Sequence, residues 1–313
     1  MDQPSLHHVE CIGAGGLHRM AYWSWGDTAN PRVLVCVHGL TRQGRDFDTL
    51  AQDLCGEYRV VCPDVVGRGR SDWLPEPMGY VVPSYVADMV TLIARLGVPQ
   101  VDWVGTSMGG LIGIGVASLP AVSGNGSNGS SNSSSNSSYR ASSLVRRLVI
   151  NDVGPTIDPV GLQRIGSYVG RPARWRSVEE AADALWAIST GFGPHTRDEW
   201  LALTRPQLMA DDNADGPGFK PRSDPAIGVP FKSVTPEMAA AGEALMWQAW
   251  DRLTMPTLLL RGAESDLLSR ATAEQMSRRG PRAQVQEFAG VGHAPTLIAA
   301  DQRAAVRGFL LAP

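Results

Sequence analysis

The sequence predicts an α/β fold with a mostly parallel, doubly wound sheet and an inserted helical cap. Short apolar runs of strand length alternate with segments whose apolar residues recur at helical spacing. This alternation stops after residue 153 and returns near residue 253. The chain has 313 residues, of which 43% are hydrophobic, enough to bury such a sheet on both faces.

Apolar patterns predict the strands and helices of residues 1–104. Two strands separated by a glycine-rich turn, Gly13 to Gly16, predict a leading antiparallel hairpin. Continuous apolar runs predict parallel strands buried on both faces, with helices between them. The predicted strands lie at 9–12, 17–25, 33–37, 59–62 and 101–104, and the predicted helices lie at 47–54 and 86–96.

The chain divides into three predicted parts: residues 1–153 begin the α/β core, 154–252 form the cap, and 253–313 complete the core. Segment 123–138 contains only Ser, Asn and Gly, so it has nothing to bury and is expected to be a disordered surface insertion. The cap is expected to cover apolar surface with its tryptophans, which are Trp175, Trp186, Trp200, Trp247 and Trp250.

Composition limits the classes of partner. The net charge of −3 gives no reason to expect nucleic acid or an anionic membrane. The sequence has no run of about 18 apolar residues and no secretion signal at its start, so we expect a small-molecule substrate and a cytoplasmic location. The four cysteines lack metal-ligand spacing, and we expect them to be reduced and structural, with no metal bound.

The segment from Val101 to Gly110 predicts a strand, a sharp turn and a helix, with Ser107 at the apex. Gly105 and Gly109 stand two residues on either side of this serine, as in a G-x-S-x-G nucleophile elbow. Only small residues fit beside a serine held at positive φ in a strained turn. The backbone N–H of Met108 is then expected to point towards the group that Ser107 attacks.

Two later residues follow predicted strands at the same sheet edge. His293 follows the strand 285–288 and is expected to act as the general base, and Asp266 follows the strand 257–261 and is expected to orient its ring. Asp152 is the rival acid, because it also follows a strand. We favour Asp266 because the turn that begins at Gly262 would aim its carboxylate at His293.

The segment His38-Gly39-Leu40 follows the strand 33–37 and fits the second half of an oxyanion hole. Its Leu40 N–H would join that of Met108 in binding the negative oxygen of a tetrahedral intermediate. His38 is expected to support the loop by hydrogen bonding rather than to act as the base.

Five motifs in order resemble the serine-type α/β-hydrolase superfamily over residues 20–155 and 255–311. They are His38-Gly39, Asp64-x-x-Gly67-x-Gly69-x-Ser71, Gly105-Thr106-Ser107-Met108-Gly109-Gly110, Gly262-x-x-Ser265-Asp266 and Gly290-x-Gly292-His293-Ala294-Pro295. The resemblance implies the α/β-hydrolase fold and chemistry without a metal or organic cofactor. The superfamily includes carboxylesterases, lactonases and carbon–carbon bond hydrolases. Haloalkane dehalogenases are similar, but they need an aspartate where this chain has Ser107, and that class is therefore excluded.

The leading functional prediction is hydrolysis of carboxylic esters of small apolar substrates through an acyl-enzyme on Ser107. The same catalytic triad, Ser107, Asp266 and His293, could open a lactone or cleave a carbon–carbon bond next to a ketone. A ligand-binding protein with an idle triad is the alternative of a different class. Ligand-binding proteins of this kind usually lack one or more catalytic residues, whereas here every expected position is filled.

Overall fold

The computed structural model describes residues 3–13, 15–119, 143–213 and 216–313. The insertion predicted at 123–138 lies outside these residues. No helix in the described ranges is both long and apolar enough to pass through a bilayer.

Strands and helices alternate through most of the described chain. The strands are β1 (Ser5–Gly13), β2 (Gly16–Trp25), β3 (Val33–Val37), β4 (Arg59–Pro63), β5 (Val101–Thr106), β6 (Val145–Asn151), β7 (Leu208–Ala210), β8 (Phe219–Pro221), β9 (Thr257–Gly262) and β10 (Gln284–Phe288). The helices are α1 (Asp48–Leu54), α2 (Val82–Leu96), α3 (Met108–Ala117), α4 (Pro159–Gly166), α5 (Val178–Ala187), α6 (Arg197–Thr204), α7 (Gly228–Lys232), α8 (Pro236–Asp251), α9 (Arg270–Arg278) and α10 (Ala300–Leu310).

Eight strands form one sheet in the order β1-β2-β4-β3-β5-β6-β9-β10. The hairpin β1–β2 is antiparallel and joins β4 antiparallel, while every pairing from β4 to β10 is parallel. The predicted fold class is therefore confirmed. The chain winds from β3 to β4 on one side and then returns to place β5 on the other side of β3. Ligands of open α/β sheets bind at such a reversal, outside the carboxyl ends of the strands.

Both faces of the sheet are covered by apolar side chains. Along β3, Val33, Val35 and Val37 belong to one buried cluster, while Leu34 and Cys36 belong to a second cluster on the opposite face. Alternate side chains of a strand point to opposite faces, so an uninterrupted apolar run is the pattern of a strand buried twice. This sheet, packed on both faces, positions the strand ends from which the site residues extend.

The segment between β6 and β9 departs from the strand–helix alternation. It contains helices α4 to α8 and a separate two-stranded antiparallel sheet, β7–β8. Within it, Trp186 and Trp200 pack edge to face with ring centroids 5.0 Å apart, and together with Leu203 they belong to a small apolar cluster of their own.

Candidate active site

Ser107 occupies the sharp turn between β5 and α3, with φ 52° and ψ −120°. The two flanking glycines are needed because the turn leaves no room for a side chain. A Cβ on Gly105 would lie 2.2 Å from the Gly109 carbonyl oxygen, and a Cβ on Gly109 would lie 2.0 Å from that of Val37. The predicted elbow geometry is thus present, with its serine at the switch point of the sheet.

The structure brings Ser107 and His293 together with Asp152. His293 Nε2 lies 2.9 Å from Ser107 Oγ, and His293 Nδ1 lies 2.8 Å from Asp152 Oδ2. The Asp152 side chain is closed to solvent and also accepts hydrogen bonds from Gly262 N–H at 2.9 Å and from Ser265 Oγ at 2.6 Å. These bonds fix the carboxylate, which in turn fixes the imidazole ring so that Nε2 faces the serine.

The prediction that Asp266 orients His293 is wrong in this structure. Asp266 instead forms a bidentate ion pair with Arg164, whose Nε and Nη2 lie 2.5 and 2.8 Å from the two carboxylate oxygens. This arginine lowers the pKa of the Asp266 carboxyl. The hydrogen-bonded series Ser107, His293 and Asp152 is termed the relay. The turn after β9 directs Ser265, not Asp266, towards Asp152 of this relay. Asp152 could be found from its place after β6, but the sequence carries no separate signal for the supporting role of Ser265.

The loop after β3 lies beside the elbow. A Cβ on Gly39 would be 3.6 Å from Ser107 Cβ, so a larger residue would crowd the serine. Leu40 N–H makes no hydrogen bond within the described chain, and Met108 begins α3, where an N–H has no acceptor in its own helix. Neither N–H group therefore has an acceptor among the described residues.

His38 supports this loop from within. Its Nε2 accepts a hydrogen bond from Val65 N–H at 2.9 Å, so the neutral ring carries its proton on Nδ1, which lies 2.7 Å from the Gly39 carbonyl oxygen. Burial lowers the pKa of His38 to about 3, and the ring is neutral at ordinary pH. Both ring nitrogens are occupied by the backbone, and neither faces Ser107.

The relay opens into a cavity of about 450 Å³, within the usual size of small-molecule sites. Apolar side chains from the segment between β6 and β9 form much of its wall, among them Ile165, Val169 and Leu203. Of the five tryptophans expected to cover apolar surface there, Trp175 lines this cavity. Trp250, by contrast, is fully buried and donates a hydrogen bond from Nε1 to the Arg279 carbonyl oxygen at 3.1 Å.

One group of three side chains in the described ranges could hold a metal ion: Cys11, His18 and Asp88. All three are buried where the hairpin β1–β2 packs on α2. His18 Nε2 lies 3.0 Å from Asp88 Oδ2. Burial raises the pKa of Cys11 to about 12, which keeps the thiol protonated. Without a metal ion, the hydrogen bond between His18 and Asp88 connects β2 to α2.

Comparison with known proteins identifies the family. The chain matches the model of the "Alpha/beta hydrolase family" over residues 34–307. A 3-hydroxybutyrate-oligomer hydrolase of Cupriavidus necator is 52% identical over 295 residues, which cover 94% of each protein. A pimeloyl-acyl-carrier protein methyl ester esterase of Xanthomonas oryzae pv. oryzae is 26% identical over 278 residues, covering 86% of this chain and 91% of that protein.

A solved structure extends the comparison to the backbone. An α/β hydrolase from Novosphingobium aromaticivorans is 31% identical and superposes with a TM-score of 0.78, with 99% of each chain covered. Fold, family match and relatives agree, and the chain therefore belongs to the α/β hydrolase family and is a hydrolase.

Proposed function

We propose that this enzyme cleaves carboxylic esters of small apolar substrates through an acyl-enzyme on Ser107. The observation that carries the proposal is the hydrogen-bonded series Ser107, His293 and Asp152 at the cavity described above. A serine hydroxyl is a weak nucleophile at neutral pH, and a histidine held at 2.9 Å with its far nitrogen on a carboxylate is the arrangement that activates it.

In the first half of the reaction, His293 Nε2 takes the Ser107 proton while Oγ attacks the ester carbonyl carbon. The carbonyl oxygen becomes negative and is held by the N–H groups of Leu40 and Met108. Collapse of this intermediate breaks the carbon–oxygen bond to the alcohol. The departing oxygen takes the proton from His293, and the acyl group stays on Ser107.

In the second half, a water molecule gives a proton to His293 Nε2 and attacks the acyl carbon. The same two N–H groups hold the second oxyanion. Its collapse returns the proton to Ser107 Oγ and releases the carboxylic acid. Throughout, Asp152 keeps the ring in one orientation and stabilises the imidazolium that forms twice in each cycle.

The substrate class is proposed from the relative that is 52% identical and named 3-hydroxybutyrate-oligomer hydrolase. Such oligomers are linear esters, in which the acyl group and the leaving alcohol are both short hydroxy acids. We propose that this chain cleaves short hydroxyalkanoate oligomers, whose hydrocarbon parts are apolar although one end is a carboxylate. The segment 154–252 would serve as the cap that encloses them, over a core formed by residues 1–153 and 253–313.

The test is a comparison of rates on linear 3-hydroxybutyrate dimer and trimer, a p-nitrophenyl ester series of increasing acyl length, a lactone and a vinylogous diketone. We expect cleavage of the oligomers and of short and medium esters, and complete loss of both activities in Ser107→Ala. Cleavage of the lactone or the diketone alone would replace ester hydrolysis by one of the other two activities. The expected cytoplasmic location is tested separately by fractionating the native cells.

A further inference from the structure

Arg68 is a buried cation that the relay itself does not use. It lies in the loop between β4 and α2, and its side chain is fully closed to solvent. A buried guanidinium is costly unless its donors are satisfied. Within the described ranges its hydrogen bonds go to no carboxylate: Nη1 donates to the Val66 carbonyl oxygen at 2.7 Å and to Tyr85 Oη at 3.0 Å. Its carbon Cζ also lies 5.0 Å from the centre of the Tyr85 ring.

The other two nitrogens of Arg68 reach both halves of the proposed oxyanion hole. Nε donates to the Leu40 carbonyl oxygen at 2.8 Å, and Nη2 lies 3.8 Å from Met108 Sδ. Leu40 follows β3 and Met108 begins α3, so their N–H groups belong to separate parts of the chain. A single planar guanidinium therefore spans the two residues whose N–H groups must converge on one oxygen.

The loop that carries Arg68 is itself held on two sides. Asp64 accepts hydrogen bonds from Gly44 N–H at 2.7 Å and from Arg70 N–H at 2.8 Å. On the other side, the Arg222 carbonyl oxygen accepts a hydrogen bond from Gly69 N–H at 3.0 Å, and Asp224 N–H donates to the Gly67 carbonyl oxygen at 2.8 Å. Both neighbours of Arg68 are thus bonded to the segment between β6 and β9.

We propose that Arg68 is a positioning residue of the oxyanion hole. It fixes the positions of Leu40 and Met108 relative to each other, and its positive charge, which is hydrogen-bonded to no carboxylate in the described residues, favours the negative oxygen that forms between them. This inference rests on the proposed function, because the hole has meaning only if Ser107 attacks a carbonyl group. It assigns a part in the reaction to a residue that touches neither substrate nor relay.

The test compares Arg68→Met, which removes the charge, with Arg68→Lys, which keeps it but cannot span both contacts. We expect kcat on an ester to fall about 10-fold to 100-fold in Arg68→Met, and by less in Arg68→Lys, with KM changed little because the loss is confined to the transition state. The same variants are assayed on the matching thionoester. Sulfur accepts hydrogen bonds weakly, so the hole contributes less to that reaction and the loss there should be much smaller.

Arg261→Met is the control for loss of a buried arginine outside the proposed oxyanion hole. Arg261 donates to the Leu268 carbonyl oxygen at 2.9 Å and forms an ion pair with Glu287 at 2.5 Å. This substitution should lower the melting temperature and leave the ratio of ester to thionoester rates unchanged. Equal losses on both substrates in the Arg68 variants would reduce Arg68 to a structural role. If Arg68→Met does not fold, the same ratio in Arg68→Lys decides the question. Ester turnover persisting in Ser107→Ala would overturn both the proposed function and this inference.

Discussion

The Asp152 carboxylate accepts three hydrogen bonds and is closed to solvent, whereas the Asp266 carboxylate is partly exposed and paired with Arg164. An amide at position 152 would present a donor to His293 or force the ring into its other tautomer. We therefore expect Asp152→Asn to lower kcat by about 10⁴-fold.

Asp266→Asn is the matched control for that variant, since it makes the same chemical change one strand away. It should lower kcat by no more than a few-fold. Steady-state kinetics on a p-nitrophenyl ester measures both variants. The opposite ranking would return the acid to Asp266 and contradict the structure of the relay.

His38 makes folding stability depend on pH. Its pKa is about 3 in the folded protein and near 6.5 when the chain unfolds, because burial disfavours the charged ring. The unfolded state therefore binds the proton first as the pH falls, so this stabilising contribution is complete above pH 6.5 and is lost between pH 6.5 and 3. The slope from this group approaches ~1.4 kcal/mol per pH unit.

The measurement is the free energy of unfolding by urea at several values between pH 7 and pH 4, for the wild type and for His38→Asn. Asparagine can still donate and accept but does not titrate in this window. The wild type should lose stability more steeply than the variant as the pH falls. Parallel curves would mean that His38 is already protonated in the folded protein or has no burial penalty.

At the scale of elements, the turn between β5 and α3 tolerates no side chain beside Ser107. The Cβ of Gly105→Ala would lie 2.2 Å from the Gly109 carbonyl oxygen, which cannot move without distorting α3. We expect this variant to lose at least 100-fold in kcat/KM and to melt at a lower temperature, because overpacking typically costs 1–3 kcal/mol or more.

Gly242→Ala provides the control, since this glycine lies within α8 and an added Cβ meets nothing within 4 Å. Alanine stabilises an exposed helix interior by up to about 1 kcal/mol relative to glycine. Circular dichroism melting should therefore show a small increase for Gly242→Ala, with the ester rate unchanged. An active, stable Gly105→Ala would show that the elbow can relax.

Across the whole molecule, the sheet could be predicted because buried parallel strands are read directly as continuous apolar runs, as in β3 and β9. The meeting of Ser107 and His293 could be predicted as well, since the glycines around Ser107 and the position of His293 after β10 restrict the choice. The sequence pattern could not distinguish the two candidate acids. Strands β6 and β9 are neighbours in the sheet, so Asp152 and Asp266 both leave it at adjacent points. Only side-chain direction distinguishes them, and that depends on the turn that places Ser265 inward.

The insertion 123–138 is expected to be dispensable to the whole molecule, since its composition offers nothing to bury. A hydrogen bond connects the chain before the insertion to the chain after it: Ser143 Oγ donates to the Ala117 carbonyl oxygen at 3.0 Å. Closing a shorter loop changes the free energy little, about 0.6 kcal/mol for each doubling of length. Replacing 123–138 by a short glycine linker should leave the melting temperature and the ester rate unchanged, and a fall in either would give the segment a structural or gating role.

The proposed reaction requires that Ser107 is the nucleophile and that His293 and Asp152 activate it. The most direct measurement is the rate and site of covalent labelling by a fluorophosphonate, followed by intact mass and peptide mapping. We expect a single adduct on Ser107, none in Ser107→Ala, much slower labelling in Asp152→Asn and nearly normal labelling in Asp266→Asn. An adduct on another residue, or equal labelling of Ser107→Ala and the wild type, would mean that Ser107 is not the nucleophile.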